Sequence, residues 1–266
     1  DFFFGALNRD LWIIFLSNTL LSFGDGLYFY VFPLYIRSEE LGGAPSDVGI
    51  IYSALGLASA LTPILGGFLA DKYDRKKLMI LTWLIWVPVP LMFSLATNWS
   101  HLILPSFLYG CFIGGPATSA YIATSAKKEK MAITFTTISA SWSIGYIFAP
   151  SMGSYLATIP TIGARQVFYI AFILFVLSTI ALFFIRSQHA TTHSLGSLKK
   201  SSTSFNPKKI FAWALFFAAI FFMITLFRPF IPQLLEYEYK YDDFHVGIIG
   251  SILLSLIHIR RCRRRG

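Results

Sequence analysis

The sequence predicts an all-α membrane protein, and two observations carry this prediction. Of the 266 residues, 55% are hydrophobic and 13% are charged, whereas soluble domains carry about 25% charged residues. The mean hydropathy of the chain is +0.63. Long apolar stretches also recur along the chain, and about 20 apolar residues form a helix that crosses a bilayer. Because no stretch alternates as a membrane β-strand does, the spans are expected to be helices.

Eight apolar stretches, called spans 1 to 8 below, are long enough to cross a membrane. Each is bounded by charged residues or by residues that favour loops. They cover residues 11–36, 48–70, 77–96, 102–125, 132–158, 167–185, 210–235 and 244 to the end.

The distribution of Lys and Arg predicts the orientation of these spans. With the N-terminus inside, thirteen Lys and Arg lie on the cytoplasmic side and four lie outside, while five more are in the C-terminal tail. Short cytoplasmic loops carry an excess of Lys and Arg. The sequence therefore predicts an integral protein of the plasma membrane with a cytoplasmic N-terminus.

The chain is predicted to consist of two helical halves joined by a linker. Residues 187–209 are rich in Ser and Thr and too polar to fold alone. They separate a six-helix half (1–186) from the start of a second half (210–253). An internal repeat supports this division, because a proline followed by an acidic loop and "VGII" occurs at Pro33 and again at Pro232. Parallel repeats of this kind are known in transporters.

The loop between spans 2 and 3, "GGFLADKYDRKKLMIL", carries the most specific motif. The positive-inside rule explains basic residues such as Arg75 and Lys76, but it does not explain Gly67 or Asp71. A glycine at Gly67 would permit close helix approach. A carboxylate at Asp71 would suit the N-terminus of a neighbouring helix, where the helix dipole favours negative charge.

This loop resembles the signature of the major facilitator superfamily, G-x-L-A-D-R-x-G-R-K. Gly67, Asp71, Arg75 and Lys76 match it, as do Leu69 and Ala70. The resemblance implies that the loop is a conformational latch between two six-helix halves. Asp74 stands where the signature has its second glycine, and Asp adopts a left-handed conformation less readily than Gly, so we expect a different turn.

The resemblance also implies the complete fold. The family has twelve helices, and this chain would supply its N-terminal six-helix bundle and the first one to two helices of the C-terminal half. The polypeptide as given is therefore expected not to transport, although its parent protein is.

Span 5 contains "GYIFAPSMGS", which resembles the antiporter motif of the same family, G-x-x-x-G-P-x-x-G-G. Gly145, Ala149, Pro150 and Gly153 occupy its positions, with Ala149 in place of a glycine. The resemblance implies export rather than uptake. The alternative interpretation is that these residues only keep one face of the helix small for close packing.

Asp25, in the middle of span 1, is the main candidate for binding a proton or substrate. A charge at mid-bilayer costs about 2.5–3.5 kcal/mol, so its side chain should face a cavity or a partner. The alternative is a neutral, hydrogen-bonded Asp with a structural role. Gly24 and Gly26 on either side leave room for a ligand or for a helix crossing.

Arg228, in the outer half of span 7, is a second candidate. The resemblance implies that span 7 faces span 1 across the cavity, so Arg228 is expected either to pair with Asp25 or to hold an anionic group. Extension of its side chain to the outer surface is the alternative. Four further residues are candidates for the cavity wall, namely Asn18, Tyr121, Trp142 and Tyr146. For the three aromatic residues, packing against neighbouring side chains is the alternative role.

The function that the resemblance implies is secondary active transport of a small organic solute by alternating access, with proton-coupled export. The alternatives are an uptake carrier of the same family and a non-transporting receptor or scaffold. No phosphate loop, catalytic motif or metal-binding set is found, so we expect neither an enzyme nor a cofactor. The expected partners are the lipid bilayer, a small-molecule solute and protons, with no nucleic acid, and the protein is expected to be a monomer.

The C-terminal tail, "LLSLIHIRRCRRRG", is expected to be non-native over residues 254–266. "LSLIHI" and "RCRR" read like translations of a transposon end and the adapter that follows it in DNA library preparation. Without the five arginines the net charge falls from +9 to +4 (9 − 5). We therefore expect no nucleic-acid or lipid binding by the tail.

Overall fold

The computed structural model describes residues 7–189, 216 and 227–263, and every regular element in these ranges is a helix. Span 1 forms α1 (Arg9–Phe29) and α2 (Val31–Ile36), and span 2 forms α3 (Pro45–Ala70). Span 3 forms α4 (Arg75–Trp86) and α5 (Pro88–Ser94). Span 4 forms α6 (Ile103–Gly110) and α7 (Gly115–Ser125). Spans 5 and 6 form α8 (Met131–Thr158) and α9 (Gly163–Leu182).

Three further helical elements follow. They are α10 (Phe230–Gln233), a π-helical segment (Leu234–Glu238) and α11 (Asp243–Arg263), which corresponds to span 8. Most of span 7 and of the predicted linker lies outside the described residues. The division into two halves therefore stays a prediction.

The predicted all-α membrane fold is confirmed. Among the described residues, five stretches are long and apolar enough to cross a membrane. Large apolar side chains also point away from the bundle, as at Ile64, Phe68 and Phe148, which are 62%, 68% and 65% exposed. A surface of this kind is compatible with lipid rather than with water. By contrast, α1 buries Asn18, Ser22 and Asp25 inside the bundle.

Prolines and glycines break three of the spans. Pro33 lacks an N–H and its ring disfavours a helical bond to residue 29, which is where α1 ends and α2 begins. Pro88 similarly separates α4 from α5. Between α6 and α7 the chain is extended at Cys111, and threonines satisfy the freed backbone donors. Phe112 N donates to Thr62 Oγ1 (2.9 Å), and Gly114 N donates to Thr82 Oγ1 (2.6 Å).

The closest helix packing is between α1 and α8. A Cβ added at Gly153 would overlap the Leu27 carbonyl oxygen, and a Cβ at Gly145 would overlap Ser22. On the other side, a Cβ at Gly26 would lie 2.8 Å from the Ala149 methyl carbon. Small residues thus let these two backbones approach each other closely.

Two further contacts hold the described elements together. Ser17 on α1 and Ser178 on α9 share a hydrogen bond of 2.9 Å between their hydroxyls, and Trp83 Nε1 on α4 donates to Ser178 Oγ at 2.9 Å. On its far side, α8 packs against α11, where the hydroxyls of Ser151 and Ser251 lie 2.5 Å apart.

We predict that Gly153→Ala destabilises the protein by about 3 kcal/mol, because a methyl group there would force α1 and α8 apart. Thermal unfolding of the purified protein in detergent measures this loss. Gly56→Ala on α3 is the matched control, since a Cβ at Gly56 meets nothing within 4 Å among the described residues. Equal melting temperatures for the two variants would contradict the proposed packing.

Candidate functional site

A cavity of about 160 Å³ lies between α1, α2, α3, α5, α6 and α8 and the segment at residues 228–229. Most of its wall is aromatic, and it contains one acidic and one basic side chain. The lining residues are Asp25, Tyr28, Phe29, Phe32, Tyr52, Leu55, Phe93, Tyr109, Tyr146, Arg228 and Pro229. An apolar pocket with a few convergent polar groups is the usual form of a small-molecule site.

Asp25 faces this cavity and is held by two phenol hydroxyls. The residue is 3% exposed. Tyr109 on α6 donates to its Oδ1 at 2.5 Å, and Tyr146 on α8 donates to its Oδ2. Within the described ranges, no Lys, Arg or His nitrogen lies within 4.0 Å of the carboxyl. The carboxyl is therefore bound by neutral donors rather than by a cation.

Arg228 lines the same cavity, but it forms no ion pair with Asp25 in the part of the chain that the structure describes. Its guanidinium carbon lies 4.1 Å from the centre of the Phe29 ring. This is a cation–π contact. The side chain is otherwise exposed. Among the described residues, Arg228 thus contacts an aromatic ring and not Asp25, which was one of its expected partners.

The other cavity candidates are placed differently from one another. Tyr146 is in the wall and binds Asp25. Trp142 stacks on Tyr146 with ring centres 6.5 Å apart, but it does not line the cavity. Asn18 is buried in α1 and is also not part of the wall.

Tyr121 requires a correction, because it does not line the cavity. Its hydroxyl lies 3.1 Å from Asp10 Oδ2 and 2.9 Å from the carbonyl oxygen of Arg186. It therefore joins α7 to the start of α1 and to the chain after α9. The break between α6 and α7 separates this part of span 4 from the part that reaches Asp25.

Sequence reasoning missed three cavity tyrosines, Tyr28, Tyr52 and Tyr109. A signal for Tyr28 was available, because it lies three residues after Asp25 and so shares its helix face. Tyr109 is distant from Asp25 in the sequence and carries no motif. Its position follows from the packing of α6 against α3, where Gly110 lies against the backbone of Leu55.

The glycine-rich motif of span 5 packs against the helix that carries Asp25. Gly145 lies against Ser22, and Gly153 lies against Leu27, so the two contacts fall on either side of Asp25. Tyr146 follows Gly145 directly and reaches the carboxyl. The motif thus determines how closely α8 approaches the candidate site, while its link to export stays a prediction.

Arg75 and Lys76 bind other helix ends at the same end of the bundle. Arg75 Nη1 donates to the Ala120 carbonyl (3.2 Å), to Thr124 Oγ1 (2.7 Å) and to Gln188 Oε1 (2.9 Å). Lys76 Nζ donates to the carbonyl oxygen of Phe183 at 2.7 Å. Phe183 is the C-cap of α9, and the last carbonyls of a helix lack intrahelical partners and favour cations. These hydrogen bonds therefore connect the start of α4 to the C-terminal part of α7 and to the end of α9.

The expected role of Gly67 is also corrected. A Cβ at Gly67 meets nothing within 4 Å among the described residues, whereas one at Gly66 would overlap the carbonyl oxygen of Ile113. The close helix approach is therefore at Gly66, next to the break in span 4. Asp71 is the exposed C-cap of α3.

Asp74 forms a helix cap rather than a left-handed turn. It has φ −59° and ψ 122°, and its Oδ1 accepts a hydrogen bond from Lys77 N at 3.2 Å. Its other oxygen lies 3.3 Å from His189 Nε2. Asp is a strongly preferred N-cap residue. The departure from the family signature at Asp74 therefore gives α4 a side-chain cap that glycine lacks.

At the opposite end of the bundle, α2 meets the region around α10. Arg37 Nη1 donates to Gln233 Oε1 at 3.4 Å, and the Arg37 guanidinium lies 3.8 Å from the centre of the Tyr237 ring. Burial and the nearby Asp243 raise the pKa of the Glu236 carboxyl in the same cluster. These contacts join the bundle of spans 1 to 6 to the segment that follows residue 227.

Two bacterial proteins resemble this chain over most of its length. Quinolone resistance protein NorA of Staphylococcus aureus (strain MRSA252) is 25% identical over 254 residues, which are 92% of this chain and 64% of NorA. Multidrug resistance protein 2 of Bacillus subtilis (strain 168) is 28% identical over 261 residues, which are 94% of this chain and 63% of that protein. The chain thus spans less than two thirds of the length of either relative.

Solved structures share the fold. A bacterial homologue of the human lysosomal transporter Spinster, inward-facing and unoccupied, has a TM-score of 0.73 at 19% identity and matches 94% of this chain and 60% of its own. The nucleoside transporter NupG has a TM-score of 0.64 at 17% identity, over 92% of this chain and 64% of its own.

The family profile agrees with these likenesses. The profile of the Major Facilitator Superfamily matches residues 14–259, which include most of span 1 and all of spans 2 to 6 and reach into the tail expected to be non-native. Together with the broken membrane helices around a carboxyl-bearing cavity, this match shows that the chain belongs to the major facilitator superfamily.

Proposed function

We propose that the full-length protein is a secondary active transporter that exports a small organic solute by alternating access in exchange for protons. It lies in the plasma membrane with its N-terminus in the cytoplasm. The observation that carries the proposal is the state of Asp25, a buried carboxyl that faces a cavity and has no cationic partner among the described residues.

Such a carboxyl is suited to exchanging one positive charge for another. A charge in the middle of a membrane is costly, and its cost falls when a proton or a cation neutralises it. The aromatic rings of Phe29, Phe93 and their neighbours add favourable contacts for apolar and cationic groups. A lipophilic organic cation and a proton would therefore compete for Asp25, which is the requirement for antiport.

The relatives support the direction of transport. Two of them carry names that refer to quinolone resistance and multidrug resistance. The glycine-rich motif of α8, which resembles the antiporter motif, packs on both sides of Asp25. Export of organic compounds fits both observations better than uptake does.

Alternating access requires contacts at both ends of the bundle that can open. The contact of Arg37 with Gln233 and Tyr237 is a candidate for the outer closure. On the cytoplasmic side, Arg75 holds α4, α7 and Gln188 together, while the exposed Asp71 is available as the latch carboxylate.

We predict that Asp25→Asn in the full-length protein abolishes proton-driven solute export without reducing its amount in the membrane. The amide keeps the size of the carboxyl but cannot take up and release a proton. Uptake of a lipophilic cation into inverted vesicles with an acidic lumen, which corresponds to export from the cell, measures the loss.

Glu39→Gln, at an exposed position outside the cavity, is the control and should transport normally. Unchanged export by Asp25→Asn with an unchanged pH response would exclude the proton role. Transport of the solute into the cell instead of out of it would favour an uptake carrier. Binding of the solute without any transport would favour a receptor.

We also predict that Arg75→Ala lowers both the melting temperature and the export rate. The variant loses the hydrogen bonds to Ala120, Thr124 and Gln188, and hydrogen bonds from a charged group contribute about 2 kcal/mol. Thermal unfolding and vesicle transport measure the two effects. Lys77→Ala removes an exposed basic residue of the same loop and should change neither. Equal losses in the two variants would show that only the loop charge matters.

A further inference from the structure

Tyr28, a residue of the cavity wall, has a buried hydroxyl whose proton is not donated in a hydrogen bond of normal geometry among the described residues. Tyr28 is 4% exposed and lines the cavity. Its hydroxyl lies near enough to Asp25 and Tyr109 to interact with both, but it forms no hydrogen bond of normal geometry with any group in the described ranges. A buried polar group without a partner is destabilising, so a partner that arrives with a ligand would be favoured here.

The Tyr28 ring is held firmly by its surroundings. The centre of this ring lies 5.5 Å from that of Phe168, 5.9 Å from that of Phe93 and 6.5 Å from those of Phe32 and Phe175. Four aromatic neighbours thus hold the ring in place within the core. A donor fixed in this way loses little conformational freedom when it binds a ligand, which favours selectivity.

The other two phenol hydroxyls near Asp25 are already used. Those of Tyr109 and Tyr146 both donate to the carboxyl. Of these three tyrosines in the described ranges, Tyr28 is the one whose hydroxyl proton is not donated to the carboxyl and can be given to a ligand. It lies three residues after Asp25 on the same helix, so one ligand can reach both side chains.

We propose that Tyr28 is a specificity-determining residue that donates a hydrogen bond to an acceptor atom of the substrate while Asp25 neutralises the substrate's positive charge. The favoured substrates are small organic cations that also carry a carbonyl, ether or similar acceptor. This inference rests on the proposed function, because it assumes that the cavity binds a cation.

A matched pair of quaternary ammonium ions tests the inference on the purified full-length protein. Trimethylphenylammonium has no hydrogen-bond acceptor, and its 4-acetyl derivative adds one carbonyl oxygen. We expect the wild type to bind the acetyl derivative about fivefold more tightly, the ratio that one hydrogen bond of about 1 kcal/mol supports. In Tyr28→Phe this ratio should fall to about one, while the affinity for the parent ion stays the same. Isothermal titration calorimetry of both ions measures the ratio.

Tyr155→Phe on α8 is the control, because Tyr155 is exposed and lies outside the cavity. It should keep the fivefold preference. If Tyr28→Phe weakens both ions equally, or leaves the preference intact, the role of Tyr28 is overturned while the cation site stands. If neither ion binds the wild type, or if Asp25→Asn binds both ions as tightly as the wild type does, the proposed function itself fails and this inference fails with it.

Discussion

The close approach of α1 and α8 is the constraint on which the rest of the site depends. Gly145 and Gly153 have no side chains, so the backbone of α8 can lie directly against Ser22 and Leu27 of α1. This approach brings Tyr146 within hydrogen-bond distance of Asp25. Lipid would exclude a carboxyl at this depth, whereas a surrounding of protein tolerates it. The small residues thus make room for the charged group that gives the cavity its chemistry.

Breaks in the helices then complete the cavity. A break in a membrane helix frees backbone groups that lipid cannot satisfy, so such breaks occur where protein side chains can bind them. Thr62 and Thr82 provide these bonds at the break between α6 and α7. Tyr109 lies in the last turn before this break and binds Asp25. The break that interrupts span 4 therefore also places the Tyr109 hydroxyl at the cavity.

The basic end of the bundle shows that one set of residues can serve two purposes. Positive charge near Arg75 and Lys76 is expected from topology alone. In the folded chain these two side chains also donate to helix-end acceptors on α7 and α9. The contacts of Arg75 and Lys76 lie within spans 1 to 6. The two residues therefore stabilise this bundle whether or not they also act in a latch. The exposed Asp71 is the part of the motif left to contact another helix.

The sequence by itself determined the class of protein and the family, and it predicted the spans of the first half and a functional role for Asp25. These follow from local properties, because the length of an apolar stretch decides whether it crosses a membrane and a buried charge must face a cavity or a partner. The cap at Asp74 is also a local feature, since Asp before a helix is a known N-cap signal, although the family signature has a glycine and a turn at this position.

Only the tertiary structure decided which side chains meet Asp25. Tyr109 is 84 residues away in the chain and Tyr146 is 121 residues away. Their meeting depends on helix rotation and on the break in span 4, which moves Tyr121 to the far end of the bundle. The close approach at Gly66 rather than at Gly67 has the same origin. A shift of one residue turns a helix by about 100°, so packing, and not composition, selects which of two adjacent glycines faces a neighbour.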